Sequence, residues 1–366
     1  MTNLSSLTKG HFVRSLALLI LAIGIIWWFG RGLDWPKVWS SLSNADWRLL
    51  MTAILTISFT YILRAYRWRS LLRPFTNTSI KDLFVANVVG FSAFFFFGRA
   101  GEVVRPALLP LRDRKVGTAA SFITIFIERI CDFVAVVLLF AVNLTWFQAP
   151  SGHEIDFQTV RKVGLILLSS VLIGLVVLFL FGRYSTPIVV LLEKKLTAWK
   201  FVPKKLCRFV IDLVQQLATA LKVIASPREL LPTVSWTLFL WLAIVLGNLF
   251  VIRAFGLSFG LRETVFMLGW ALIGSLVPTP GGAAGAFHAT AASALVFLSV
   301  NRELAAAIVI VIHLVDFAPA LIFALYYLVR GEVTVARLRD VWANESKRAP
   351  KQSKVKGWQV AESSNV

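Results

Sequence analysis

The chain has 366 residues, 57% of them hydrophobic, with thirteen tryptophans and a formal net charge of +19; its mean hydropathy is +0.75. Soluble domains run nearer half apolar, in short periodic sets, so an ordinary soluble catalytic domain is excluded. The cations sit beside long apolar runs rather than in a nucleic-acid-binding patch, so no nucleic-acid partner is expected.

A membrane span needs roughly 20 predominantly apolar residues. Leu16–Phe29 is the first run to approach that length. No small-residue cleavage site follows it, so it reads as a retained span rather than a signal peptide. Leu49–Leu63 is the second run, and Arg64, Arg67, Arg69, Arg73 and Lys81 are assigned to a following loop at 64–82. Ile80–Leu111 is apolar but broken at Gly98-Arg99-Ala100-Gly101. About ten residues separate that break from Pro110, too few to cross, so the segment reads as a re-entrant hairpin. Ala119–Leu144 is the third run and carries Glu128, Arg129 and Asp132. The loop at Gln148–Gln158 has no Lys or Arg, and Val163–Phe181 is the fourth run.

The loop at 183–231 is long and basic. Within it Leu206, Phe209, Val210, Leu213, Val214, Leu217, Leu221 and Ile224 recur at helical spacing, which predicts an amphipathic segment over 185–228. It would lie on the inner leaflet or against the span ends. Val234–Val251 is the fifth run, and Arg262–Val300 is a second hairpin broken at Pro278-Thr279-Pro280-Gly281-Gly282. Leu304–Val329 is the sixth run, with His313 and Asp316 inside it. Residues 345–366 are polar and read as a disordered cytoplasmic tail.

The two halves, about 12–144 and 160–330, carry a weak repeat at an offset of 184 residues, with no gap needed from position 69 to 133. Arg69 aligns with Arg253, Gly90 with Gly274, Gly98 with Gly282, Gly101 with Gly285, and Asp132 with Asp316. Loop charges orient them. With both termini cytoplasmic and both hairpins returning to their side of entry, the basic loops all fall inside and the uncharged Gln148–Gln158 loop falls outside. The expected fold is an all-α polytopic membrane protein over 1–344. It has six transmembrane helices and two re-entrant hairpins arranged as an inverted repeat, a plan many transporters share. The expected location is the bacterial cytoplasmic (inner) membrane.

Charges inside the apolar runs are the candidate site, since one at the bilayer centre costs about 2.5–3.5 kcal/mol or more. Glu128 and Asp132 are spaced i, i+4 and share a helix face, with Arg129 beside both, so loss of Arg129 would strand two carboxylates. Glu102 and Arg105 are spaced to pair. A half-helix over Gly101–Leu109 would point its N-terminus at the first break, where Arg99 could add a forked donor for phosphate. Gly281, Gly282 and His288 stand at the second break, and His313 and Asp316 repeat the Arg129–Asp132 spacing. An internal salt-bridge lock and a substrate or proton path are both open readings of these groups. Cys131 lies in a span and Cys207 in a basic loop, so neither a disulfide nor a metal site is expected.

Phe97-Gly98-Arg99-Ala100-Gly101-Glu102-Val103-Val104-Arg105, then Glu128-Arg129-x-x-Asp132, then Pro278-Thr279-Pro280-Gly281-Gly282 resemble the three signature motifs of the lysylphosphatidylglycerol synthase transmembrane (flippase-like) family. Tyr66-Arg67-Trp68-x-x-Leu71-Leu72 resembles its second span, and the resemblance covers about residues 12–330. It departs at Phe97, where members often have Pro, and at Phe287-His288, where many have Glu. The resemblance implies a stand-alone member without the aminoacyl-transferase domain. Such a protein moves a phospholipid or lipid-linked headgroup between leaflets, with Arg99, Glu102, Arg105, Glu128, Arg129 and Asp132 along the path. Anionic membrane phospholipids are the expected ligands, a separate enzyme would modify them, and no cofactor is implied. The rival reading is an ion-coupled exporter of a small solute. A membrane phosphatase is weaker still. Pro150-Ser151-Gly152-His153 matches one of its motifs, but no further His occurs before His288.

Overall fold

The computed structural model of the chain describes residues 30–73, 75–147, 154–184, 227–277 and 279–333, with Gly24 and Trp27 before them. The rest of the first apolar run, most of the amphipathic segment at 185–228 and the polar tail lie outside the described residues. Among the described residues there is no strand, and besides one four-residue turn of helix at Pro280–Ala283 there are ten α-helices. They are α1 (Trp35–Ser43), α2 (Trp47–Leu72), α3 (Ile80–Phe97), α4 (Val104–Arg112), α5 (Thr118–Trp146), α6 (Glu154–Arg183), α7 (Pro227–Ala254), α8 (Leu261–Ser275), α9 (Ala286–Phe297) and α10 (Arg302–Val329).

Local chemistry fixes several starts. The Asp46 carboxylate accepts from the Arg48 amide at 2.8 Å, capping α2. Ser79 accepts from the Asp82 amide and donates to its carboxylate, capping α3. Asn301 accepts from the Leu304 amide at 2.7 Å, capping α10. Each such cap satisfies an amide that a helix start would otherwise leave bare. Helix α2 is 26 residues long, about 39 Å at 1.5 Å per residue. It runs past Leu63 because Ala65, Trp68, Leu71 and Leu72 continue its buried face. Arg64 and Arg67 therefore belong to this helix and not to the loop to which their charge assigns them.

Five helices are long and apolar enough to cross a membrane: Trp47–Leu72, Ile80–Phe97, Phe157–Val177, Leu230–Ala254 and Arg302–Val329. One of them, Ile80–Phe97, is the arm that the sequence places in the first hairpin. Helix α5, at 29 residues, matches them in length but carries three charges at its middle.

The helix plan repeats. Thr118 and Arg302, the first residues of α5 and α10, stand 184 positions apart, and α2 and α7 hold the same relation to within a few residues. Packing repeats with it. Helix α2 packs along α7; α3 packs on α10 as α8 packs on α5; α9 packs on α10 as α4 packs on α5. The Asp46 amide, at the start of α2, donates to the Ala254 carbonyl at the end of α7, so these two helices run antiparallel.

Both hairpins bring their ends together. Arg112, at the end of α4, bonds Asp82 near the start of α3 at 2.9 Å. At the opposite end of the bundle Phe266 in α8 stacks on Phe297, the last residue of α9. The two breaks meet in between. Gly98 has φ +58°, a conformation that suits glycine alone at its ψ of −143°, and a Cβ there would lie 2.9 Å from the Thr279 carbonyl oxygen. Its repeat partner Gly282, at φ +64°, faces the ring of Phe317. The first break is a 3-10 turn over Gly98–Val103, so the α-helical half-helix begins at Val104, three residues later than the sequence suggests.

Candidate functional site

Helix α5 contributes two carboxylates, and arginines come to them from three elements. Arg67 of α2 forks onto Asp132 through both terminal nitrogens. It also reaches Glu128 Oε1 at 3.0 Å. Arg105 of α4 forks onto Glu128, with Nη2 at 2.8 Å from Oε2. Arg129, from α5 itself, lies 2.9 Å from Glu128 and 3.3 Å from Asp132. Trp241 of α7 donates to Asp132 at 3.2 Å. Trp68 of α2 lies under the Arg105 guanidinium at 4.3 Å, and its indole N–H is taken by Thr124.

Forked arginine–carboxylate bonds are the geometry that best offsets the desolvation of buried charge. Arg67 and Glu128 have no exposed side-chain surface, whereas Arg129 is 38% exposed. The cluster thus has three cations on two anions. Both carboxylates keep other partners when Arg129 is removed, which corrects the expectation that Arg129 alone holds them.

Glu102 does not pair with Arg105, as its spacing suggests, because Arg105 turns inward to Glu128. Glu102 pairs instead with Arg99 at 3.4 Å. Arg99 also donates to the Ser275 carbonyl at 3.0 Å, tying the first break to the end of α8.

The second-half candidates gather around the other break. His313 donates from Nε2 to the Gly281 carbonyl at 2.7 Å, and Nδ1 of His288 accepts from the Gly285 amide. The two rings lie 4.8 Å apart, with Phe95, Phe287 and Phe317 about His313. These bonds hold the bent segment between α8 and α9 in place.

Two cavities flank the aromatic pair Phe91 and Phe94. A small one of about 60 Å³ is lined by Glu102, Arg105 and Arg129. The larger, about 180 Å³, is lined by Tyr61, Arg64, Trp241, Ser275, Gly282 and Asp316, among others. At about 30 Å³ per water, it has room for roughly six, or for a phosphate-sized group with its hydration. Arg64 lies over the ring of Phe91 at 4.5 Å. Its Nε is buried without a hydrogen-bond partner, and it forms no ion pair among the described residues. Nor does the Asp316 carboxylate; only its main-chain carbonyl is engaged, by the Tyr61 hydroxyl at 2.7 Å. Arg99 lines neither cavity.

The sequence missed Arg64, Arg67, Trp68 and Trp241. The signal for Arg67 and Trp68 was available, since both stand in the Tyr66-Arg67-Trp68 motif and continue the apolar period of α2.

Residues 15–324 match the model of the family described as lysylphosphatidylglycerol synthase TM region. The chain belongs to that family. A UPF0104 membrane protein of Pyrococcus horikoshii is 19% identical over 312 residues, covering 81% of this chain and 90% of the relative. The family match takes in all three signature motifs, and with the apolar helices it makes this a multi-pass membrane protein with a lipid-related setting.

Proposed function

We propose that the chain is a lipid translocase that moves a phospholipid, or a lipid-linked headgroup, between leaflets without altering it chemically. The observation that carries the reading is the cavity holding Arg64 and Asp316. Arg64 and Asp316, neither in an ion pair among the described residues, line one largely apolar cavity beside the second helix break, inside a bundle of membrane-length helices. Charged groups at such depth are rare and mark pathways, and broken backbone at membrane depth is tolerated beside a cavity.

The antiparallel α2 and α7, the repeated helix contacts and the closed hairpin ends support an inverted repeat. On this reading the chain has six spans, counting Leu16–Phe29 and α5, with α3–α4 and α8–α9 re-entrant. The termini lie on the cytoplasmic side of a bacterial inner membrane. The ion-paired cluster of Arg67, Arg105, Arg129, Glu128 and Asp132 is then a lock that holds α2, α4 and α5 in register. Headgroup binding passes to Arg64.

The test is exchange of a fluorescent phosphatidylglycerol between leaflets of vesicles containing the purified full chain. Protein-dependent exchange is expected. Arg64→Ala should lose most of it, Arg64→Lys should keep part because lysine lacks the fork, and Arg69→Ala should lose little. Equal rates for Arg64→Ala and Arg69→Ala would overturn the assignment of Arg64. Exchange no faster than in protein-free vesicles would overturn the translocase.

A further inference from the structure

Asp132 and Asp316 occupy the same place in the two halves, and their surroundings differ. Asp132 is held by the Arg67 fork, Arg129 and Trp241. At the positions that repeat Arg67 and Arg129, the second half has Val251 and His313. Val251 is buried and apolar, and His313 gives its Nε2 proton to Gly281. Asp316 therefore has neither counter-ion, and it lines the larger cavity together with Arg64.

The charged and titratable groups around that carboxylate are few. Helix α2 brings Tyr61, whose hydroxyl is committed to the Asp316 carbonyl, and Arg64. Helix α9 brings His288 and α10 itself brings His313, both bonded into the second break. Helix α7 lines the cavity with Trp241 and Ile244. The charges of α3, Lys81 and Asp82, bind Glu332 and Arg112 beyond the end of α10, more than a dozen residues from Asp316, or about 24 Å along the helix. Near the start of α10 the pair Lys37 and Asp34 is likewise remote and bonded to itself. Arg64 and Asp316 are thus the two charged residues that line this cavity, with Asp132, Arg67 and Arg129 of the neighbouring cluster close enough to act on Arg64.

We propose that Asp316 is a proton-binding site of the cavity, and that its protonation leaves Arg64 uncompensated for an anionic lipid phosphate, so that proton and phosphate enter together. With Asp316 ionised, its charge offsets that of Arg64, and a phosphate would add a second anion to the space. With Asp316 protonated, one cation faces one phosphate and the occupied cavity is neutral, the state that a low-dielectric surrounding favours. The proton comes from water and binds a carboxylate oxygen; no other bond changes. Asp132, held by its arginines, cannot play this part.

This rests on the translocase reading, so the test has two separate arms. Infrared difference spectra of the full chain in lipid, taken between mildly alkaline and mildly acidic pH, should show a protonated-carboxyl band that is absent in Asp316→Asn. Phosphatidylglycerol exchange by the natural protein should quicken as pH falls, by at most about tenfold per unit, the limit for one proton. Asp316→Asn, a mimic of the protonated acid, should exchange at the acid-side rate at every pH. Asp316→Glu should retain the slope, which guards against Asp316→Asn failing to fold. A band that survives in Asp316→Asn, or an unchanged pH slope in that variant, overturns the proposal. If no lipid exchanges in any variant, the translocase reading falls and the band alone decides whether Asp316 takes up a proton.

Discussion

Arg67 has no exposed surface and holds both carboxylates of α5 on one guanidinium. Its removal leaves Asp132 without its fork and a strong donor missing from Glu128. Breaking a buried pair in this way costs about 3–5 kcal/mol. Arg129 touches the same two acids from a partly exposed position, and both keep other partners without it, so its loss should cost about 1 kcal/mol or less. Thermal melts of the purified variants should therefore rank Arg67→Ala well below Arg129→Ala. Equal melting points would mean that the acids are held by the cluster as a whole rather than by the fork. Glu128, Arg129 and Asp132 were legible in the sequence because charge stands out against an apolar run. Arg67 was not, because a cation near a span end reads as a loop residue until the helix is seen to continue to Leu72. The cavity was illegible for a different reason. Arg64 and Asp316 are separated by most of the chain, and no local pattern says that neither is paired.

At the scale of elements, the two breaks impose conditions that side chains elsewhere do not. Gly98 has a backbone conformation closed to other residues and abuts a main-chain oxygen, which cannot rotate away. Gly98→Ala should destabilise the protein by about 1–3 kcal/mol. Gly174, in α6, would have nothing within 4 Å of an added methyl and has ordinary helical φ, so Gly174→Ala should be neutral or stabilising by about 0.5–1 kcal/mol. Paired melts in the same lipid or detergent check both. The end of α10 offers a pH test. Lys81 and Arg112 hold the Glu332 carboxyl below its usual range by hydrogen bonds and charge. A depressed carboxyl contributes stability that is present above the ordinary carboxylate range and is lost as pH falls through the lowered value. Amide protection in the last turn of α10, taken relative to the intrinsic exchange rate at each pH, should therefore fall on strong acidification, and Glu332→Gln should show the lower protection already at neutral pH. Both helix breaks were legible from their glycines and prolines, and the matching starts of α5 and α10 from the 184-residue offset. The sequence placed the first half-helix three residues early, because a 3-10 turn and an α-turn share the same residue preferences over so short a stretch.

For the whole molecule, sidedness is the prediction with the widest reach. In a chain lacking Cys131 and Cys207, single cysteines at Gln148 and Asn301 should react with an impermeant reagent from outside the cell. Those at Thr76, Lys200 and Ser353 should react only after permeabilisation; outside labelling at Lys200 would reverse the arrangement. The unequal treatment of Asp132 and Asp316 also has a genetic meaning. A polypeptide that carries one structural unit twice can hold the first copy rigid while the second is released to change. Random mutagenesis should then sort by half. Damaging substitutions around Glu128 and Asp132 would be recovered as strains that have lost the protein, and those around Asp316 as strains that make it in full and lack its activity.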